Sequence, residues 1–413
     1  MHIVILVGNY YPNYSAVGNC AKNFSEALAH MGHNVEIISQ RTSLHEAQHV
    51  SQQQSIYRIE TLWLRCIVRG NEPGMLNRYC NLLGRAVRYL QSVWQRHNIK
   101  WDIVKAYIQQ LFIIQQHDPI DVIVPFCFPF EGVVAATRFK RTHCQQVKVV
   151  PYLFDRFASS DALHRTQWNR SLKMKAHVAL EQQTFALCTK VLMMPSWHKH
   201  VHTYYPDLEQ RFTEVEHPLL VPIQSSKDVA YDSSCTNIVF TGSLLKVIHT
   251  PFYSFNSLIV AIKQCPNIRV HLYARGNCSD DIRNFEHACP EQVIYHGSVD
   301  VETAHAAMQA ADVLLSIGNS NITQMASKNF EYVATGSPVI HFYCDEKDPV
   351  NDLLRKMGNC LLLSQYETAE HNGHEIVKFL ASHPKKHNFN EVANIIPEAL
   401  PETTAKKLME VVK

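Results

Sequence analysis

Ser327-Lys328-Asn329-Phe330-Glu331-Tyr332-Val333-Ala334-Thr335-Gly336-Ser337-Pro338 is the stretch on which the reading of this chain turns. Ser327 is a favoured helix N-cap, Gly336 is favoured just past a helix end, and Pro338 cannot continue one. A short helix is therefore expected, followed directly by an apolar strand over 339–342. The first turn of such a helix offers free backbone N–H groups and the positive end of the helix dipole, which suit a phosphate. Glu331 falls three residues after Lys328, on the same face. A carboxylate there can accept hydrogen bonds from two ribose hydroxyls. Phosphate and ribose together describe a nucleotide. Taken alone, an ordinary capped helix feeding a core strand accounts for the segment equally well, so its neighbours decide.

Those neighbours alternate between strand and helix. Residues 3–7 form a short, fully apolar strand, a loop runs over 8–18, a helix over 19–31 and a second strand over 35–39. Further apolar strands read at 122–124, 147–153 and 191–194. After a linker around 205–225, strands read at 238–240, 270–273, 293–295, 313–316, 339–342 and 360–363. Helices over 254–264, 281–289, 303–311 and 350–357 separate them, and helical sequence closes the chain at 367–382 and 401–412. Apolar strands alternating with helices describe doubly wound parallel sheets. We therefore expect an α/β chain with an acceptor domain over 1–215 and a donor domain over 216–387. A C-terminal helix at about 388–413 is expected to pack back on the first domain.

Composition limits the function classes. At 413 residues the chain is too long for one ordinary core. Its 46% hydrophobic and 18% charged content describes a globular protein, and a net charge of +2 argues against a dedicated nucleic-acid binder. The 12 Cys are scattered without a CxxC pair, which reads as reduced thiols, and the 24 His include no HExxH. Gly8 and Gly18 stand ten apart with no GxGxxG between them, against a dinucleotide-dependent dehydrogenase. The start of the chain lacks the cationic opening of a signal peptide, and no window approaches the ~18 apolar residues of a membrane span. A cytoplasmic protein, at most peripheral on the inner face of the membrane, is the expectation.

The pattern Ser-Lys-x-x-Glu-Tyr-x-x-x-Gly-x-Pro-Val-Ile resembles the donor-binding segment of GT-B glycosyltransferases, above all those of glycosyltransferase family 4. The resemblance implies two Rossmann-like doubly wound domains facing an interdomain cleft. It implies that Glu331 holds the ribose of a nucleotide sugar while Ser327, Lys328 and the preceding loop hold its diphosphate. Thr241-Gly242-Ser243-Leu244-Leu245-Lys246 resembles the family's Gly-rich turn and diphosphate cation, with His249 where many relatives carry Arg. Gly242 and Ser243 are backbone candidates there, and Lys246 and Glu331 are the donor-stabilising candidates. Arg275 and Gly297, the latter in Tyr295-His296-Gly297-Ser298-Val299, resemble positions near the base or sugar. Thr323 replaces the first of the family's two glutamates, leaving Asn321 and Gln324 to meet sugar hydroxyls.

In the first domain, Tyr10 to Gly18 resembles the family's N-terminal loop, with Gly18 on the donor phosphates and Tyr14 and Ser15 toward the acceptor. The 126–131 turn and Asp155-Arg156 are further acceptor candidates. The implied activity is a retaining, metal-independent transfer from a nucleotide sugar to a glycan or lipid-linked glycan, in bacterial surface polysaccharide synthesis. No cofactor is expected beyond the donor, and no residue stands out as a nucleophile. The alternatives are a catalytically silent partner that binds nucleotide or glycan, and a nucleotide-sugar epimerase of the same form.

One segment stands outside this scheme. Between Glu72 and Asp102 there is no acidic residue, while Arg78, Arg85, Arg88, Arg96 and Lys100 are present. Leu76, Tyr79, Leu83, Val87, Leu90 and Trp94 recur at helical spacing. Such a basic amphipathic helix suits an anionic membrane surface, or equally a core-packed helix with solvated arginines.

Overall fold

His2–Val7 (β1) is buried along its whole length, as a strand inside a parallel sheet has to be. The computed structural model describes residues 1–12, 14–51, 54–70, 72–160, 167–246, 251–319 and 327–413. These fall into two units, Met1–Pro218 with Glu398–Lys413, and Leu219–Pro397.

In the first unit β1 leads through α1 (Ala16–His30) to β2 (Asn34–Gln40), β3 (His49–Ser51), β4 (Ser55–Ile59), α2 (Leu62–Arg69), α3 (Met75–Trp94) and α4 (Trp101–His117). Then follow β5 (Val122–Cys127), α5 (Phe130–Thr142), β6 (Lys148–Val149), β7 (Tyr152–Leu153), α6 (Gln167–Phe185), β8 (Val191–Met193), α7 (His198–Tyr204) and β9 (Phe212–Glu214). The sheet runs β3-β4-β2-β1-β5-β7-β8-β9, with β6 also on β5. Only β3 on β4 is antiparallel among these pairs. The strand expected over 147–153 is interrupted because Pro151 has no N–H to give the ladder. α1 starts at Ala16 rather than Asn19, because the Ser15 hydroxyl caps it by accepting the Gly18 N–H at 3.1 Å.

The second unit carries β10 (Thr236–Leu244), α8 (Phe252–Gln264), β11 (Ile268–Gly276), α9 (Ser279–Ala288), β12 (Val293–Tyr295), α10 (Val301–Ala310), β13 (Val313–Ile317), α11 (Lys328–Ala334), β14 (Val339–Tyr343), α12 (Pro349–Met357) and β15 (Cys360–Ser364). Its sheet order is β12-β11-β10-β13-β14-β15, all parallel. Numbered along the chain this is 3-2-1-4-5-6, the doubly wound dinucleotide-fold order. Phe240, Leu258, Leu272, Phe285, Leu315 and Phe342 lie in its core.

β10 and β11 run longer than expected and pair to their ends, Gly242 opposite Ala274 and Leu244 opposite Gly276. The 241–244 segment is therefore strand and not the turn that the sequence suggested. Gly276 allows this, since a Cβ there would meet the Leu244 carbonyl oxygen at 2.0 Å.

The tail divides. α13 (Ala369–Ala381) packs on α8, and α14 (Phe389–Ile395) packs on α11 and α12 in the second unit. Only α15 (Pro401–Val412) returns to the first unit, beside α1. The return expected from about residue 388 therefore begins a helix later. Asn388 and Glu391 explain the difference by forming a capping box that starts α14 as a separate helix.

Candidate functional site

Ligands of an open α/β sheet gather at the carboxyl ends of the strands where the strand order reverses. In the second unit that point lies between β10 and β13. Residues 241–246 stand at the end of β10, and Gly318, Asn319 and then α11 follow β13.

Tyr332 ties the two sides together. Its hydroxyl accepts the Thr241 N–H at 2.9 Å and donates to the Thr241 carbonyl at 3.1 Å, in a fully buried position. The motif helix is thereby fixed against the end of β10. A second buried network holds its start, where Ser316 Oγ donates to Asn329 Oδ1 at 2.8 Å. That uses the single Ser316 proton, so His341 Nδ1, 2.9 Å from Ser316 Oγ, is the donor in their contact.

On the outer side of α11, Lys328 Nζ donates to Glu331 Oε2 at 2.6 Å. His305, on α10, brings Nε2 to 3.5 Å from the same oxygen. Burial alone would raise the Glu331 carboxyl. The His305 hydrogen bond and the Lys328 ammonium outweigh it and hold the group below its ordinary value. Glu331 is thus an ionised, partly exposed acceptor flanked by the Lys328 ammonium and the His305 imidazole, an arrangement suited to a diol beside a phosphate.

Ser327 does not cap this helix as expected. Its backbone is already helical (φ −53°, ψ −26°) and its side chain makes no cap hydrogen bond, whereas capping needs an extended residue. Gly336 does terminate it, with φ +69° and its N–H on Val333 O at 2.9 Å.

Ser243 and Arg275 meet across the β10–β11 pair, Arg275 Nε donating to Ser243 Oγ at 3.1 Å. Gly242 sits beside them in the strand with φ +150°. Lys246 donates its backbone N–H to Asn277 Oδ1 at 2.9 Å, and its ammonium stands 3.8 Å from Asp280. Gly297 turns with φ +73° after His296, whose ring stacks on Tyr273 at 4.2 Å. His296 Nε2 is 3.1 Å from His271 Nδ1, and burial first, then the neighbouring His296, pulls His271 down to about 4. Asn13, His249, Asn321, Thr323 and Gln324 lie outside the described residues.

The first-unit candidates divide into two places. Tyr14, Ser15 and Gly18 stand together past β1, where a Cβ on Gly18 would meet the Asn9 carbonyl oxygen at 2.4 Å. Burial pushes the Tyr14 hydroxyl up to about 12, so it stays protonated at neutral pH. Asp155 and Arg156 lie two strands away, past β7 and beside the end of β5. Of the 126–131 turn, Glu131 is buried and accepts the Lys100 N–H at 3.1 Å, which makes it a tie between α4 and α5.

Sequence reasoning missed His305, Tyr332 and Arg58. Arg58 is buried at the end of β4 and donates to Tyr11 O at 2.7 Å and Ala47 O at 3.1 Å, with Glu46 at 3.5 Å. It shapes a cavity of about 350 Å³ lined also by Pro12, Ser43 and His45. Among the described residues, no group of three or more His, Cys, Asp or Glu is arranged to hold a metal.

No protein-family model matches the chain, and no curated protein matches it. Solved structures do. A sucrose-phosphate synthase from Thermosynechococcus elongatus is similar over 99% of this chain and 98% of its own, with TM-score 0.62 at 10% identity. WaaG, a glycosyltransferase involved in lipopolysaccharide biosynthesis, is similar over 98% and 99%, with TM-score 0.53 at 13% identity. A UDP-N-acetylglucosamine 2-epimerase assignment from Listeria monocytogenes covers 100% and 95%, with TM-score 0.58 at 10% identity. The fold is GT-B. At these identities the likeness extends to the fold and no further.

Proposed function

We propose that the chain is a retaining, metal-independent glycosyltransferase that moves a sugar from a nucleotide donor to a glycan or lipid-linked glycan, in surface polysaccharide synthesis. The observation that carries this reading is the Glu331 carboxylate, ionised between Lys328 and His305 at the reversal point of a 3-2-1-4-5-6 sheet. The GT-B fold and the glycosyltransferase WaaG among its structural neighbours support it. In this scheme Glu331 accepts the ribose hydroxyls, and Lys328 and Lys246 face the diphosphate. The acceptor oxygen bonds to the anomeric carbon on the face from which the diphosphate departs. The breaking C–O bond leaves its electron pair on phosphate, and the acceptor proton follows to that oxygen. The two lysines stabilise the growing charge.

The test is incubation with a panel of nucleotide sugars and glycan acceptors, with analysis of both products. Free nucleoside diphosphate together with an extended acceptor supports transfer. A nucleotide sugar inverted at one carbon and still joined to its nucleotide would favour the epimerase reading, to which the Listeria neighbour lends a fold. Donor binding without turnover of any donor would favour a silent partner.

A further inference from the structure

α3 is packed with its small and polar side inward. Gly84 lies against α2 so closely that a Cβ would stand 3.0 Å from Ile67 Cγ1 and 3.2 Å from Cys66 Cβ. Asn81 Nδ2 donates to Ile67 O at 2.7 Å. Arg88 is 9% exposed and grips Asp102 through two hydrogen bonds of 2.7 and 2.8 Å. At the far end, Lys173 of α6 donates to the carbonyls of Ser92 and Val93. The inward side is thus satisfied by close backbone approach and hydrogen bonds.

The apolar residues face the other way. Leu76, Tyr79, Leu83, Leu90 and Trp94 are all more than half exposed, Trp94 at 86%. Spacings of three, four and seven residues put them on one face of a 20-residue helix, a strip ~30 Å long. Leu82, Tyr89 and Val93, also exposed, widen this apolar surface round the helix to Arg78 and Arg85, which are exposed, seven residues apart and set along its far margin. Apolar surface of this extent is not ordinarily left to water.

Charge selects the occupant. Two copies of this face meeting about a two-fold axis would oppose arginines with no carboxylate between residues 73 and 101 to pair with them. An anionic bilayer meets all three features: hydrocarbon for the leucines, the headgroup layer for Trp94 and Tyr79, and lipid phosphate for the arginines. We propose that α3 is a membrane-docking helix that lies in the plane of an anionic lipid surface. It inserts Leu76, Leu83, Leu90 and Trp94 and sets Arg78 and Arg85 against the lipid phosphates. Arg88 takes no part, because Asp102 holds it. The proposal is independent of the transfer reading, since none of these residues belongs to the donor site.

The test is sedimentation of the full chain with vesicles of phosphatidylcholine alone and of phosphatidylcholine with phosphatidylglycerol. The wild type should partition onto the anionic vesicles. The triple variant Leu83→Ser, Leu90→Ser, Trp94→Ser should lower that partition at least roughly tenfold. Arg78→Gln with Arg85→Gln should lower it by roughly 30-fold on anionic vesicles, two charges at about 1 kcal/mol each, and abolish the preference over neutral ones. Unchanged circular dichroism and nucleotide affinity in both variants show that the fold is intact. Failure of the wild type to bind any vesicle would overturn the proposal, as would binding that survives the triple substitution. A dimer that the same substitutions dissociate, with no vesicle binding, would assign the face to a second copy instead.

Discussion

Glu331→Gln is the substitution that bears most directly on the site. The change keeps the side chain's shape and removes its charge. The Glu331–Lys328 pair is about one-third exposed, so its loss should lower stability by no more than about 1 kcal/mol. Donor affinity should suffer more. Two hydrogen bonds from ribose hydroxyls to a carboxylate are charge-assisted, and each is worth about 1–1.5 kcal/mol more than its neutral counterpart. The variant should therefore bind a nucleoside diphosphate about 2–3 kcal/mol more weakly, a loss of roughly 30- to 150-fold. Calorimetric titration with the nucleoside diphosphate and its 2′,3′-dideoxy analogue isolates the contact. Wild type should discriminate between the two by more than that factor, because the analogue loses each bond whole, and the variant, left with the neutral bonds, should discriminate roughly 30- to 150-fold less. If Glu331→Gln binds the ribose form as tightly as wild type, or keeps the full discrimination, Glu331 does not hold the ribose and the nucleotide assignment of this site fails.

Lys246→Gln should weaken nucleoside diphosphate binding about tenfold and leave the bare nucleoside unaffected, as calorimetry would show. Because the lysine is half exposed, its thermal midpoint should not move. Gly336→Ala puts a Cβ 2.0 Å from His387 O at φ +69°, whereas Gly297→Ala meets nothing within 4 Å at φ +73°. Urea unfolding should show the first costing at least about 2 kcal/mol more than the second, since only the first adds a clash to the left-handed backbone. Burial first, then His296 and Arg269, pull His271 down to about 4 in the fold, against its ordinary 6.5 in the unfolded chain. The unfolded chain takes the proton first, so this contribution is full above pH 6.5 and is lost as the pH falls toward 4. The loss approaches about 3 kcal/mol, and His271→Asn should flatten that part of the urea-stability profile.

The second unit was legible because its strands are short apolar runs and the segment proposed to hold a nucleotide is continuous. Helix start, carboxylate and stop all fall within residues 327 to 336, so local spacing could place Lys328 and Glu331 together. His305 could not be read, because it reaches Glu331 from α10, 26 residues earlier, and only the sheet order brings those elements together. The same holds for Tyr332, whose buried hydroxyl meets Thr241 across 91 residues. The motif includes Tyr332, but nothing in its local spacing gives that hydroxyl a partner. The 241–244 segment misled for a different reason. Its Thr-Gly-Ser composition suggests a turn, yet pairing to β11 overrides local preference, with Gly276 opposite making room.

α3 carries the more general lesson. Its spacing identified a helix, but an amphipathic pattern is silent about which face turns inward. The usual inference places the apolar face in the core, because burying it is worth most. That inference assumes the polar face has nothing better to do than meet water. Here it has Asp102 for Arg88, the Ile67 carbonyl for Asn81, and at Gly84 an approach so close that a Cβ would press on Ile67 and Cys66. Buried charge-assisted hydrogen bonds and backbone contact therefore anchor the polar side, and the leucines are left outside. A protein keeps such an inversion only where something other than water covers the apolar face. The lipid-facing assignment thus rests as firmly on the inward partners of α3 as on its exposed leucines.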